Sequence, residues 1–132
     1  MMADSFEEVA AGTFAYAHEW AEGKCAVVCG DTSALVIDSG GAIADGEAMA
    51  AFLRDRGFEP RRLLLTHGHG HHVWGAQPLA QGEVYAHDFT PAVMRRQLPA
   101  WAEKWGVSEV AAAARLPWPT TTFAQPIRFH LG

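Results

Sequence analysis

The sequence has little cysteine, little charge and no long apolar run, and each shortage narrows the reading. Among 132 residues the only cysteines are Cys25 and Cys29. In a strand over Cys25-Ala26-Val27-Val28-Cys29 both face one way but lie about 13 Å apart, beyond disulfide reach. They read as two small buried thiols in a reducing compartment, and their spacing matches no common zinc knuckle. No stretch approaches the roughly 20 apolar residues of a membrane span. The opening residues, Met1 to Glu8, are acidic and lack the apolar core of a secretory signal, so a cytoplasmic location is expected. Ten Lys and Arg stand against 15 Asp and Glu, a net charge of -5. That balance argues against nucleic acid as a partner. The basic pairs Arg61-Arg62 and Arg95-Arg96 read as solvated helix or strand edges. Internal repeats and low-complexity linkers are missing too.

What is present suits one packed domain: 49% of the residues are apolar and 19% charged. Phe14, Tyr16, His18 and Trp20 alternate with smaller or polar residues, the pattern of a half-buried strand, with His18 a packed or edge histidine. Turns at 21–24 and 30–33 separate strands at 25–29 and 34–38, giving an antiparallel meander. Asp45 is placed to cap a helix running to about Arg56 and stopped by Gly57, with Met49, Phe52 and Leu53 as its apolar stripe. Phe58-Glu59-Pro60 turns the chain into a strand over 63–66. A short helix fits within 73–81, limited by Pro78, and a strand over 83–86. Thr90-Pro91 starts a helix that Pro99 is expected to interrupt, with a second piece to about Lys104. Ser108 caps a short helix through Ala114. Residues 127–131 read as a further strand.

Four of the seven histidines fall in one stretch, Thr66-His67-Gly68-His69-Gly70-His71-His72. The leucines Leu63 to Leu65 lead into it, so a buried strand delivers it to a sheet edge. Neutral imidazole is a common ligand for zinc. In extended backbone His67 and His69 face the same side and can share one ion. Gly68 and Gly70, without Cβ atoms, let the backbone turn tightly around it. A catalytic zinc usually has three protein ligands and one open position.

This stretch resembles the Thr-His-x-His-x-Asp-His signature of metallo-β-lactamase-fold hydrolases. Leu35 to Gly40 is similar to the family's strand ending in Asp-x-Gly, and Glu83 to His87 to the strand after the metal loop. The resemblance covers roughly residues 6 to 131. It implies an α/β (α+β) fold: a mixed sheet with helices on one face, the N-terminal half of an αββα sandwich. Residues 1–132 are then one partial domain, expected to be truncated at its C-terminus, because no Gly-His-Thr segment, bridging Asp or final His of the second half has a counterpart. The resemblance also implies a zinc-dependent hydrolase in which a metal-bound hydroxide attacks an ester, thioester, lactam or similar bond of a small-molecule substrate.

Carried over residue by residue, the resemblance gives His67 and His69 to a first ion and His72 to a second. His71 stands where the family has Asp. An imidazole there can ligate zinc but brings no negative charge, so the second site is expected to be weaker, different or empty; the other reading is a ring that faces solvent or supports a ligand from behind. Asp38 is expected to support the loop by bonding a ligand's other ring nitrogen, or merely to begin the turn at Ser39. Trp74 and Trp20 could line a cleft or pack beneath the loop; His87 and His130 read as structural. Three accounts stay open. The chain is part of a hydrolase, impaired on its own; it is a non-catalytic metal-binding or interaction module whose exposed sheet face pairs with another chain; or copies assemble so that a neighbour supplies missing ligands. Self-association through the exposed sheet face is a further expectation.

Overall fold

A computed structural model describes residues 5–17 and 24–132. Seven strands form one sheet in chain order: β1 (Phe6–Ala10), β2 (Thr13–Ala17), β3 (Lys24–Cys29), β4 (Ala34–Ile37), β5 (Arg62–Leu64), β6 (Glu83–His87) and β7 (Thr121–Phe123). The first four run antiparallel; β4 through β7 are parallel. The expected meander is therefore present, and β1 adds an edge strand that the acidic start did not suggest. His18 and Trp20 lie outside the described residues.

Alternation sorts the sheet into two faces. Tyr16, Cys25, Val27, Val36, Leu63, Val84 and Ala86 are buried in one core with Met49 and Leu53 of helix α1 (Ile43–Asp55) and Met94 and Trp101 of α3 (Thr90–Trp105). On the opposite face Ala26, Val28, Ile37, Leu64 and Tyr85 are only half-buried. The Phe129 ring meets Tyr85 there, centroids 4.8 Å apart.

Helix ends follow local chemistry, not always where expected. Asp45 sits three residues into α1 rather than before it. Its Oδ2 accepts the Gly41 and Ala42 N–H groups, and its Oδ1 accepts the Tyr16 hydroxyl at 2.9 Å. From within the first turn it therefore satisfies the N–H groups of the two residues that lead into the helix. The one-turn α2 (Gly70–Val73) starts earlier than the expected 73–81. Phe89, not Thr90, occupies the position before α3, with Pro91 in the first turn. Pro99 does not break α3. A proline removes one backbone donor, but Met94 on one side of it and Trp101 and Ala102 on the other are buried and hold the helix through. Ser108 caps α4 (Glu109–Ala113), its Oγ accepting Ala111 N–H. The last strand is at 121–123 instead of 127–131. Leu131 does not pair in the sheet; its carbonyl accepts the Thr32 and Ser33 N–H groups of the β3–β4 turn.

The Cys25 thiol, 3% exposed, is pushed up to about 12, first by burial and then by the charges of Asp38 and Asp45. Burial also raises Cys29, against the pull of Arg56. A raised thiol pKa favours the folded state fully below the unfolded value and loses that effect as pH climbs. Stability should therefore hold below pH about 9 and fall between about 9 and 12. At pH 8 a thiol reagent should leave Cys25 untouched in native protein and modify it on addition of denaturant. Full native labelling of both thiols would contradict this burial.

Candidate metal centre

The loop opens where three parallel strands end. Asp38 N–H bonds Leu64 carbonyl and Leu65 N–H bonds Tyr85 carbonyl, so the ends of β4, β5 and β6 are level. Ligand sites gather at such carboxyl ends in α/β sheets. Asp38, 2% exposed, has φ 63°, in the left-handed region. Asp tolerates that region better than most residues, and strained backbone of this kind clusters at working sites.

That turn aims the Asp38 carboxylate at the loop. Oδ1 accepts Thr66 N–H at 2.8 Å; Oδ2 accepts the Thr66 hydroxyl at 2.7 Å and lies 2.7 Å from His72 Nδ1. Thr66 Oγ1 is also 2.9 Å from His67 Nδ1. Hydrogen placement follows from donor counting. An ionised carboxylate only accepts, so His72 carries its hydrogen on Nδ1. The Thr66 hydroxyl has one hydrogen, given to Asp38, so toward His67 it can only accept, and His67 also carries its hydrogen on Nδ1. One carboxylate thus orients two imidazoles through Nδ1 and leaves Nε2 of each outside this network.

The rings stand together. The His67 centroid is 4.8 Å from His69 and 4.1 Å from His72. The three contributors come from different local geometry: the strand exit for His67, the position before α2 for His69 and α2 itself for His72. His67 is exposed at its rim, yet desolvation of the ring and the facing imidazoles of His72 and His69 hold its pKa below the usual value, against Asp38. Neutral imidazole is the ligating form. Among the described residues, no group of three or more His, Cys, Asp or Glu side chains is already gathered closely enough to hold a metal ion. The ring assembly is pairwise through His67. The donor type nevertheless suits zinc: imidazoles, of which His67 and His72 are tied through Nδ1 to the Thr66–Asp38 oxygens.

His71 goes elsewhere. Residues three apart share a helix face, and its ring lies against Trp74, centroids 6.1 Å apart. His71 Nδ1 and Trp74 Nε1 are both buried. Trp74 in turn meets Trp101 and Trp105, each at 5.8 Å. Trp74 therefore packs beneath the loop. His87 Nδ1 accepts Phe89 N–H at 3.1 Å, a turn contact.

The glycines serve close approach rather than the tight turning expected of them. A Cβ on Gly70 would stand 2.3 Å from the Trp74 ring, and one on Gly68 would press on Met94 and Val93 of α3 at 3.1 and 3.2 Å. Gln97 of α3 donates to the Gly68 carbonyl at 2.9 Å. The far end of the loop is stitched to the β4 turn: Ser39 N–H and its hydroxyl both donate to His72 carbonyl at 2.9 Å, and Gly75 N–H donates to Gly40 carbonyl. Sequence reasoning missed the Thr66 relay and the Gln97 tether. Thr66 stood inside the motif, next to His67, and a hydroxyl there was the available signal. Nothing near Gln97 in sequence announces its partner 29 residues away.

A family model described as the metallo-beta-lactamase superfamily matches residues 19–132. No curated protein matches the chain. Solved structures similar to it include a metallo-beta-lactamase from Pontibacter korlensis, at 14% identity and TM-score 0.68, covering 96% of this chain and 55% of that one. A metallo-beta-lactamase from Hirschia baltica aligns at 15% identity and TM-score 0.64, covering 89% and 51%. The metallo-beta-lactamase FIM-1 from Pseudomonas aeruginosa, in its mono-zinc form, aligns at 14% and 0.64, covering 90% and 50%. The chain spans about half the length of these structures. No helix among the described residues is long and apolar enough to cross a membrane.

Proposed function

This chain belongs to the metallo-beta-lactamase superfamily, and from that premise we propose that it carries the metal loop of a zinc-dependent hydrolase. The observation that supports this most is the relay from Asp38 through Thr66 to His67, with His72 on the same carboxylate oxygen. It holds both imidazoles by Nδ1 and leaves Nε2 of each outside the network. His67, His69 and His72 are the residues that would hold the ion. When bound, zinc supplies Lewis acidity, making water a nucleophile near pH 7 and polarising the oxygen under attack. Asp38 holds the His72 ring directly and the His67 ring through the Thr66 hydroxyl. The substrate proposed is a small molecule with an ester, thioester, lactam or similar bond, the acidic balance making nucleic acid a poor partner. Because the chain spans about half of the structures it resembles, turnover is proposed for the site once further donors complete it, from more of the polypeptide or from a neighbouring copy.

Zinc content is the direct test. Parent protein should retain zinc through desalting, and His67→Ala and His69→Ala should each lose most of it, about tenfold or more. Both variants retaining zinc like the parent would remove the loop as the site. Zinc retention with no turnover of ester, thioester or lactam in the completed protein would favour the alternative, a non-catalytic metal-binding module.

A further inference from the structure

A groove of about 410 Å³ runs between the β1–β2 hairpin and the second half of α1, a volume in the range of small-molecule sites. It lies away from the histidine loop. That loop meets α1 at Ala42, and at 1.5 Å per residue Arg56 stands roughly 20 Å further along the helix. Two local rules assemble the lining. In the hairpin Phe6 pairs with Tyr16 and Glu8 with Phe14, so these side chains share the face that carries the core. On α1 and its cap, Phe52, Asp55 and Arg56 fall at i, i+3 and i+4, on one side of the helix. Phe6 stacks on Phe52 with centroids 4.0 Å apart, and Phe14 meets Phe52 edge-on at 4.8 Å.

The charges in this groove are held apart. The Arg56 guanidinium carbon is 3.7 Å from the Phe52 centroid and 4.8 Å from that of Phe14. Ring faces attract its charge but offer its five N–H donors no oxygen. Glu8 and Asp55 line the same groove, yet among the described residues Arg56 forms no ion pair. Arg54, two residues earlier, does pair, with Glu59 at 3.4 Å. Glu8 is engaged by the Gly12 N–H at 3.1 Å. We infer that the groove binds a zwitterionic α-amino acid with an apolar or aromatic side chain. Its α-carboxylate meets the Arg56 fork, which suits two carboxylate oxygens. Its α-ammonium meets Asp55 and Glu8, and its side chain lies along Phe6 and Phe14. A simple anion would face two carboxylates, and a simple cation would face Arg56 on the rings. A ligand carrying both signs on neighbouring atoms satisfies both, and it needs nothing from the metal loop.

The test is a titration of the full chain with phenylalanine, followed by amide shifts in two-dimensional NMR spectra. Saturable shifts are expected in residues 6–14 and 48–56, with a dissociation constant of about 1 mM or below. Phenethylamine, which lacks the carboxylate, and 3-phenylpropionate, which lacks the ammonium, should each bind about tenfold more weakly. Arg56→Gln should bring phenylalanine down to the level of phenethylamine. Glu8→Gln combined with Asp55→Asn should bring it down to the level of 3-phenylpropionate, the glutamine keeping an acceptor oxygen for Gly12. These side chains are exposed, so the variants should fold, and the parent-like remainder of each spectrum checks that they do. His67→Ala should bind phenylalanine as the parent does. No localised shifts at about 20 mM phenylalanine, either analogue binding as tightly as phenylalanine, or an Arg56→Gln protein that binds it undiminished would each overturn the inference. None of those results would touch the metal-loop reading, which stands or falls on zinc.

Discussion

Replacing Asp38 with Ala should lower the melting temperature of the metal-free protein by roughly 10–15 °C, a loss of about 3–4 kcal/mol. The carboxylate is 2% exposed and receives the Thr66 N–H, the Thr66 hydroxyl and His72 Nδ1. Its removal strands three donors, each worth about 1 kcal/mol or more when left without an acceptor. Alanine must also hold φ 63°, at a further cost of about 1 kcal/mol. Asp38→Asn separates the contributions. Asparagine tolerates that backbone and keeps one acceptor oxygen, so it should lose about half as much. Both variants should bind zinc about 10–100 times more weakly, since the relay that orients His67 and His72 is gone. An Asp38→Ala protein melting within about 3 °C of the parent would show that this carboxylate does not hold the loop.

Gly75→Ala should be as damaging, for a steric reason. A Cβ there would lie 2.1 Å from Ser39 carbonyl oxygen and 2.4 Å from that of Ala42. Both are backbone atoms, so no side chain can yield. Gly46 of α1 faces the same junction, its Cβ position 1.9 Å from the Gly75 carbonyl oxygen. The end of the histidine loop, the turn after β4 and the first turn of α1 thus pass with no room for a methyl group. Overpacking of this kind costs about 3 kcal/mol or more. Gly57→Ala is the control. Gly57 has φ 85° and nothing within 4 Å of its Cβ position. It should lose only the left-handed penalty, about 1–2 kcal/mol. Urea unfolding of the two variants side by side checks the contrast. Equal midpoints would mean that the junction is looser than these distances imply.

The parts of the fold that could be read from sequence were those written in local pattern. The alternation around Phe14 and Tyr16, the apolar run at Leu63 and the stripe of Met49, Phe52 and Leu53 each found their element. Capping was less legible, because Asp45 satisfies the start of α1 from its third position while also accepting a hydroxyl 29 residues away. Pro99 misled for a related reason: its local cost is real, but burial on both sides outweighs it. The final strand was misplaced because residues 127–131 have strand-like composition yet meet the β3–β4 turn through one carbonyl. At the site, spacing singled out His67 and His69 as candidates, and the family resemblance added His72 and the supporting Asp38, whose carboxylate does bond His72. What spacing could not convey was direction. His71 and His72 are adjacent in sequence and diverge in space, one toward Trp74 and the other toward Asp38.

The bond from Gln97 to the Gly68 carbonyl fastens the peptide between the first two imidazoles to the middle of a sixteen-residue helix. Ordering a backbone residue costs about 1–2 kcal/mol, and here that ordering is completed when the chain folds. The segment that carries His67 and His69 is therefore placed by the fold itself, and the proposed ion would have only their side chains to draw together.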